Sequence, residues 1–251
     1  MADPSGWVRT YDAATGRRLG SIVVPAPRPL RGPAVTAGGS IVLLDGWGGT
    51  ELVAPAEPRP GLEPYALTEA LEAVKTSSAE LCAVAAIGRL PLAAPAFGDA
   101  EGTVHWYGSG RVVSGKLHQG PVTALSGTAL GGHGLYDPEI PLLVSGGLDG
   151  AVRIWGPYSD PMAEPTDRRA CPVTAVAVST TAAGPLVAAA WSDGLVRLRS
   201  LSRSGEVHDL RLGSEIWSMG LTGTLVMLGM PDGVAVIDIQ TRATVPRPGR
   251  P

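Results

Sequence analysis

Residues 142–155 read LLVSGGLDGAVRIW: an apolar strand, a tight turn ending in glycine, and a second strand whose residues alternate in character. Val152 and Ile154 alternate with Ala151 and Arg153, the period-two pattern of an extended chain with unlike faces. The Asp149-Gly150 pair is expected to form a two-residue hairpin turn, in which the glycine supplies the positive φ. This unit recurs. LVAAAWSDGLVRLRS at 186–200, LVMLGMPDGVAVIDI at 225–239 and LAAPAFGDAEGTVHWYG at 92–108 match it, with weaker copies SIVLLDGWGGTELVAP at 40–55 and PSGWVRTYDAATG at 4–16. Aligned on the turn glycine, the copies fall at Gly6, Gly49, Gly102, Gly150, Gly194 and Gly233, with spacings of 43, 53, 48, 44 and 39 residues.

A further short strand precedes most copies: PVTALSG at 121–127, PVTAVAVS at 172–179, EIWSMGLTG at 215–223 and ELCAVAAIG at 80–88. A fourth follows several, as in RRLGSIVVP at 17–25 and GEVHDLRLG at 205–213. Four strands per repeat, arranged radially, is how a β-propeller limits its exposed sheet edges. The expected fold is therefore all-β, a propeller of about five to six blades with the first incomplete. The blades are expected near 5–25, 34–60, 78–117, 118–169, 170–213 and 214–240, in one domain over 1–245 followed by a disordered tail at 246–251. One segment departs from this pattern. ALTEALEAVK at 66–75 has helix formers and apolar residues at Leu67, Leu71 and Val74, and it stands where a fourth strand belongs; it is expected to be an inserted surface helix behind the Pro-rich loop APAEPRPGLEP.

Composition agrees with short strands and many turns. The 251 residues include 34 Gly and 23 Pro, more than a fifth of the chain, too many turn formers for a helical bundle; the 44% hydrophobic content argues against disorder throughout. Net charge is −3 and no basic stripe stands out, so nucleic acid is not an expected partner. The basic residues are Arg apart from Lys75 and Lys116, a bias expected of a GC-rich bacterial genome. The N-terminus MADPSGWVRTYD lacks an apolar signal core, and no apolar run approaches the roughly 20 residues of a membrane helix. With two cysteines only, Cys82 and Cys171, both in apolar runs and read as buried reduced thiols, a cytoplasmic setting is expected.

The repeats resemble the WD-repeat family over nearly the whole chain. The residues of 118–155 are similar to that family's structural tetrad: His118 at its Gly-His position (with Leu117 for the Gly), Ser145 on the second strand, Asp149 at the turn and Trp155 at the end of the third strand. The resemblance implies a line of hydrogen bonds, His to Asp and to Ser, and Ser to the Trp indole. Tyr11-Asp12 with Thr15-Gly16 is similar to the family's Trp-Asp-x-x-Thr-Gly ending. Elsewhere the pattern is degenerate: Asp193 is kept but Ala189 and Arg199 replace Ser and Trp, Asp232 stands with Leu228 and Asp238, blade three offers Glu101 and Tyr107, and blade two keeps only Gly49. Replacing both ends of a polar network by apolar groups can be nearly neutral, so such blades still fold. A family propeller shares one blade between its termini, and the strands at the two ends here do not add to a whole number of blades. The expectation is the C-terminal part of a longer propeller or multi-domain protein.

Candidate chemistry is thin. His118, Asp149 and Ser145 have the residue types of a hydrolytic triad, but the resemblance places that Ser between strands, out of reach of substrate. His105, His118, His133 and His208 show no ligand spacing, so no metal and no cofactor is expected. The glycine-rich GGHGLYDPE at 131–139 lacks the strand-to-helix context of a phosphate loop, and no carboxylate pair stands out. What remains is surface recognition. Trp47 and Trp191 fall at or beside second-to-third-strand turns, Trp217 lies at an innermost strand, and Arg168 and Arg169 precede blade five; these are the candidate partner contacts. The expected function is a non-catalytic scaffold presenting a propeller face to a partner protein or a fused regulatory domain. The alternative is an enzyme or small-ligand binder using the central funnel.

Overall fold

The computed structural model describes residues 7–11, 18–23, 30–35, 41–45, 48–53, 64–87, 94–108, 111–131, 140–202 and 205–239. These residues form six antiparallel sheets in chain order. The first pairs β1 (Trp7–Tyr11) with β2 (Arg18–Val23), and the second joins β3 (Leu30–Val35), β4 (Ile41–Asp45) and β5 (Thr50–Val53). Helix α1 (Pro64–Ser77) comes next, followed by a four-stranded sheet of β6 (Leu81–Ile87), β7 (Ala94–Asp99), β8 (Thr103–Gly108) and β9 (Arg111–Lys116). The fourth sheet holds β10 (Val122–Leu130), β11 (Ile140–Gly147), β12 (Ala151–Trp155) and β13 (Asp167–Arg168). The fifth holds β14 (Val173–Thr181), β15 (Gly184–Trp191), β16 (Leu195–Ser200) and β17 (Val207–Arg211); the sixth has β18 (Ser218–Thr222), β19 (Leu225–Met230) and β20 (Gly233–Asp238).

Each sheet is a meander, and the first strands lie in series: β3 against β6, β6 against β10, β10 against β14, β14 against β18. This is a propeller-like, all-β arrangement. Cross-sheet bonds fix the series, since Val178 N–H donates to Ser126 Oγ at 3.2 Å and Gly223 N–H to Ser179 Oγ at 3.0 Å. The core lies between sheets. Val144 and Val152 of the fourth sheet meet Val173, Val176 and Trp191 of the fifth, whose other face, Ala188, Ala190, Val196 and Leu198, meets Ile216, Val226 and Leu228 of the sixth. A strand covered on both faces needs no polar side, which explains the unbroken apolar run of β15.

The 66–75 segment is helical and extends to Pro64–Ser77. Proline suits the first helical position, where its missing N–H is not needed. Leu71 and Val74 reach into the cluster of Val42, Leu44, Leu81 and Phe97, filling the space between the second and third sheets. The stripe that reads as amphipathic in sequence is thus the part that seals an inter-sheet cluster.

The turns correct the expected geometry. In the third, fourth and fifth sheets the hairpin loop has three residues, not two. Gly102, Gly150 and Gly194 donate to the carbonyls of Asp99, Gly147 and Trp191 at 3.2, 3.1 and 2.9 Å, and each glycine is left-handed, with φ of 93°, 72° and 77°. A type I turn closed by a left-handed glycine matches strand twist as well as the two-residue turn does. In the second sheet the left-handed residue is Gly48 (φ 79°), not Gly49, whose N–H is held by Asp45 Oδ1 at 2.7 Å. Gly233 alone follows a two-residue loop, because Met230 pairs with Gly233 directly.

Trp47, Gly6, Asp12, Thr15, Gly16, His133 and the 246–251 tail lie outside the described residues. Cys82 and Cys171 are half-buried rather than buried. No helix among the described residues is long and apolar enough to cross a membrane.

Candidate functional site: a rim of turns and loops

His118 leads into β10 and is sealed, and its two ring nitrogens are both engaged: Nδ1 lies 3.0 Å from Asp149 Oδ1 and Nε2 2.8 Å from Ser145 Oγ. The pattern fixes the tautomer: an acceptor-only carboxylate requires Nδ1–H, leaving Nε2 to accept from the Ser145 hydroxyl. Asp149 also accepts from the N–H groups of Gln119 (3.2 Å) and Ala151 (3.1 Å). Trp155 takes a different partner from the one the resemblance implies. Its indole N–H donates to the Ser159 carbonyl at 3.0 Å. The register explains this, since Ser145 pairs with Arg153 while Trp155 pairs with Leu143, one step further along the face. Ser145 is fully buried, so its hydroxyl has no path to a substrate.

Burial lowers the pKa of His118 more than the Asp149 carboxylate raises it, and Arg153 and Arg168 add to the lowering. For Asp149, burial works to raise the value, but the Gln119 N–H, His118 and the Ala151 N–H bring it below the ordinary range. Both shifts are downward, so in both cases the unfolded chain holds more protons in the affected window and stability increases with pH there. Thermal stability should therefore fall as pH drops below about 6.5, through His118, and again below about 3.8, through Asp149. Melting scans at intervals from pH 7.5 to 5 check the first step. His118→Gln should lower Tm at pH 7 and flatten that part of the profile; an unchanged slope assigns it elsewhere.

A second array escaped the sequence reading. In the third sheet Asp99, at the end of β7, accepts from the N–H groups of Glu101 (3.0 Å) and Thr103 (2.8 Å), and its Oδ2 lies 2.9 Å from His105 Nε2. His105 Nδ1 lies 2.9 Å from Ser114 Oγ. Burial pushes Asp99 up, yet His105 and those N–H groups hold it below the usual range. Asp99, not Glu101, is thus the turn carboxylate of this blade. Tyr107 instead meets Glu69 of α1; burial first, then that carboxylate, raises its pKa. The available signal was Asp99 three residues before Gly102, the same offset as Asp45 before Gly48.

The turns after second strands and the loops between sheets meet along one rim. Leu117 and His118 N–H groups donate to Gly102 O, Leu148 N–H to Pro121 O, Arg169 N–H to Gly150 O and Ser192 N–H to Pro172 O. Arg169 continues the line with an ion pair to Asp193 at 2.5 Å, and Arg211 approaches the same carboxylate at 3.5 Å. Of the candidate contacts, Trp191 does not belong on this surface. It is completely buried in the cluster between the fourth and fifth sheets, and its indole donates to Gly150 O at 3.0 Å. Arg169 is committed to Asp193 and lies 5.9 Å over the Trp191 ring. Arg168 is half exposed, with Asp149 Oδ2 3.7 Å away, and Trp217 is 60% exposed, its indole N–H donating to the Glu215 carboxylate at 3.2 Å. Leu148, at the tip of the fourth-sheet turn, is 52% exposed and was not singled out from sequence. Among the described residues, no three His, Cys, Asp or Glu side chains gather as metal ligands.

This geometry defines a propeller-like, all-β protein with a continuous loop rim. No family model matches the sequence, and no curated protein does. Solved structures do resemble it. The chain is similar to the mitotic checkpoint complex structure (TM-score 0.59, 17% identity, 94% of this chain and 71% of that one) and to the computationally designed Ika8 protein (TM-score 0.54, 18% identity, 94% of this chain). It spans 66% of the Ika8 chain's length. At such identities the likeness speaks to the fold alone.

Proposed function

We propose that this protein is a non-catalytic, WD-repeat-type β-propeller scaffold that binds a partner protein through the rim described above. One observation carries the reading: hydrogen bonds join the turns to the inter-sheet loops along the rim from Gly102 to Ser192, where Leu148 and Arg168 are exposed, and Trp217 is exposed just before the next sheet. Large side chains left exposed on a preorganised surface are what a protein interface uses as anchors, and rigidity limits the entropy lost on binding. The fourth-sheet array of His118, Asp149 and Ser145 satisfies buried atoms, because Ser145 is sealed; in the third sheet Ser114, bonded to His105, is exposed. The likeness to a chain of the mitotic checkpoint complex supports the propeller-like fold on which this reading rests.

The test is capture by the immobilised protein, comparing wild type with the Leu148→Ser/Arg168→Glu/Trp217→Ala variant and with Met162→Ser, an exposed residue in the loop after β12. A partner held by wild type and by Met162→Ser should bind the rim variant at least tenfold more weakly. Equal retention by all three proteins removes the rim from the interface.

A further inference from the structure

The third-sheet array of Asp99, His105 and Ser114 differs from the fourth-sheet array in that its hydroxyl is open. Ser145 is sealed on an inner strand, whereas Ser114 lies on β9, the outer strand of the third sheet, and is exposed. Behind it the other two members are buried, His105 at 3% and Asp99 at 2% exposure. The register lines them up. Ser114 pairs directly with His105, and His105 with Phe97, two residues before Asp99, so all three side chains belong to one face of the sheet.

The partners fix where the protons are. Asp99 accepts at both oxygens, Oδ1 from the Glu101 and Thr103 N–H groups and Oδ2 from His105, so the imidazole carries its proton on Nε2. Nδ1 is then a free lone pair, and the Ser114 hydroxyl donates to it at 2.9 Å. An exposed hydroxyl needs no such partner, because water satisfies it. A serine aiming its proton at a neutral imidazole, with a buried carboxylate holding the ring from behind, is the arrangement that activates a hydroxyl nucleophile. Strand alternation puts Lys116 on the same face as Ser114, where its ammonium donates to the Glu101 carbonyl. That positive charge favours an oxyanion formed on this face.

We propose that Ser114 is an acyl-accepting nucleophile, with His105 as its general base, and that it takes the acyl group from an activated ester. Ser114 Oγ attacks the ester carbonyl carbon while its proton passes to His105 Nδ1. The bond to the leaving oxygen then breaks, and that oxygen departs with the electron pair. The product is an acyl ester on Ser114, and His105 gives its proton to the leaving group or to water. Between these steps the Asp99 carboxylate stabilises the imidazolium. Each chain takes up a single acyl group and no turnover is required, so the inference goes beyond the scaffold reading without altering it.

Reaction of the full chain with p-nitrophenyl acetate tests this. Wild type should release a burst of about one equivalent of p-nitrophenolate. The acetyl group should be found in the tryptic peptide VVSGK, residues 112–116, whose only hydroxyl side chain is Ser114; cleavage after Lys116 shows that the lysine itself is unmodified. Ser114→Ala should lose the burst, and its exposed position should leave the fold intact. His105→Gln, which keeps a polar side chain but no base, should acylate about a hundredfold more slowly. Circular dichroism checks its fold; should it unfold, the position of the label and its loss in Ser114→Ala decide the matter alone. Wild type left unacylated at Ser114, or a folded His105→Gln acylated at the wild-type rate, overturns the proposal. Neither result involves capture by the rim, so failure here is distinct from failure of the scaffold reading.

Discussion

Trp191→Ala is expected to destabilise the protein by about 3–5 kcal/mol, the range for removing a fully buried aromatic side chain. In a chain of this size that lowers Tm by roughly 10 °C. The reasoning is local. Trp191 closes the cluster between the fourth and fifth sheets, its indole satisfies the Gly150 carbonyl, and Arg169 lies over its ring. Truncation leaves a cavity and removes one of the two donors to the Gly150 carbonyl, which keeps only the Arg169 N–H, and it uncovers the guanidinium that pairs with Asp193. Trp191→Phe keeps most of the packing and loses the bond, so it should recover more than half of the deficit. Trp217→Ala, at the exposed indole, should stay within about 0.5 kcal/mol of wild type. Denaturant midpoints decide it: equal shifts for the two alanine variants would mean that Trp191 is not the inter-sheet keystone.

Gly150→Ala should cost a comparable amount, about 3–5 kcal/mol, for a different reason. At φ of 72° any side chain is strained by about 1–2 kcal/mol. The added methyl would also drive into the Arg169 carbonyl and lie 2.7 Å from the Cys171 carbonyl. Those are backbone atoms and cannot rotate away. Gly120 separates the two effects. Its φ is 96°, but nothing lies within 4 Å of the Cβ position, so Gly120→Ala should lose only the conformational part, about 1–2 kcal/mol. A Gly150→Ala midpoint no lower than that of Gly120→Ala rules out the steric contribution.

Some of this architecture is plain in the amino-acid order and some is not. The hairpin of β11 and β12 could be read because its strands alternate, its turn glycine recurs, and each repeat is built from near neighbours in sequence. Loop length was misjudged for a physical reason: Asp-Gly serves two-residue and three-residue turns alike, and only the partner register, Gly146 with Val152, tells them apart. His105 was missed because its carboxylate and hydroxyl partners come from different strands, at offsets no linear motif records. Trp191 was misplaced because proximity to a turn says nothing about which way an indole points; the fifth sheet turns it inward onto Gly150. Trp217, one residue before β18, stays in solvent, but nothing in its immediate sequence separates it from Trp191.

Helix α1 bears on which strand margins this chain leaves open. A strand at the margin of a sheet offers a ladder of unmet amide groups on which a foreign strand can grow. Where the second blade would carry its outermost strand, the chain supplies instead a helix whose internal amides are consumed within its own turns. Leu71 and Val74 still deliver the apolar cover that a strand would have given. The insertion thus closes the hydrophobic seam from the side of the third sheet, where α1 lies against β7, β8 and β9, while β5 remains the outer strand of its own sheet.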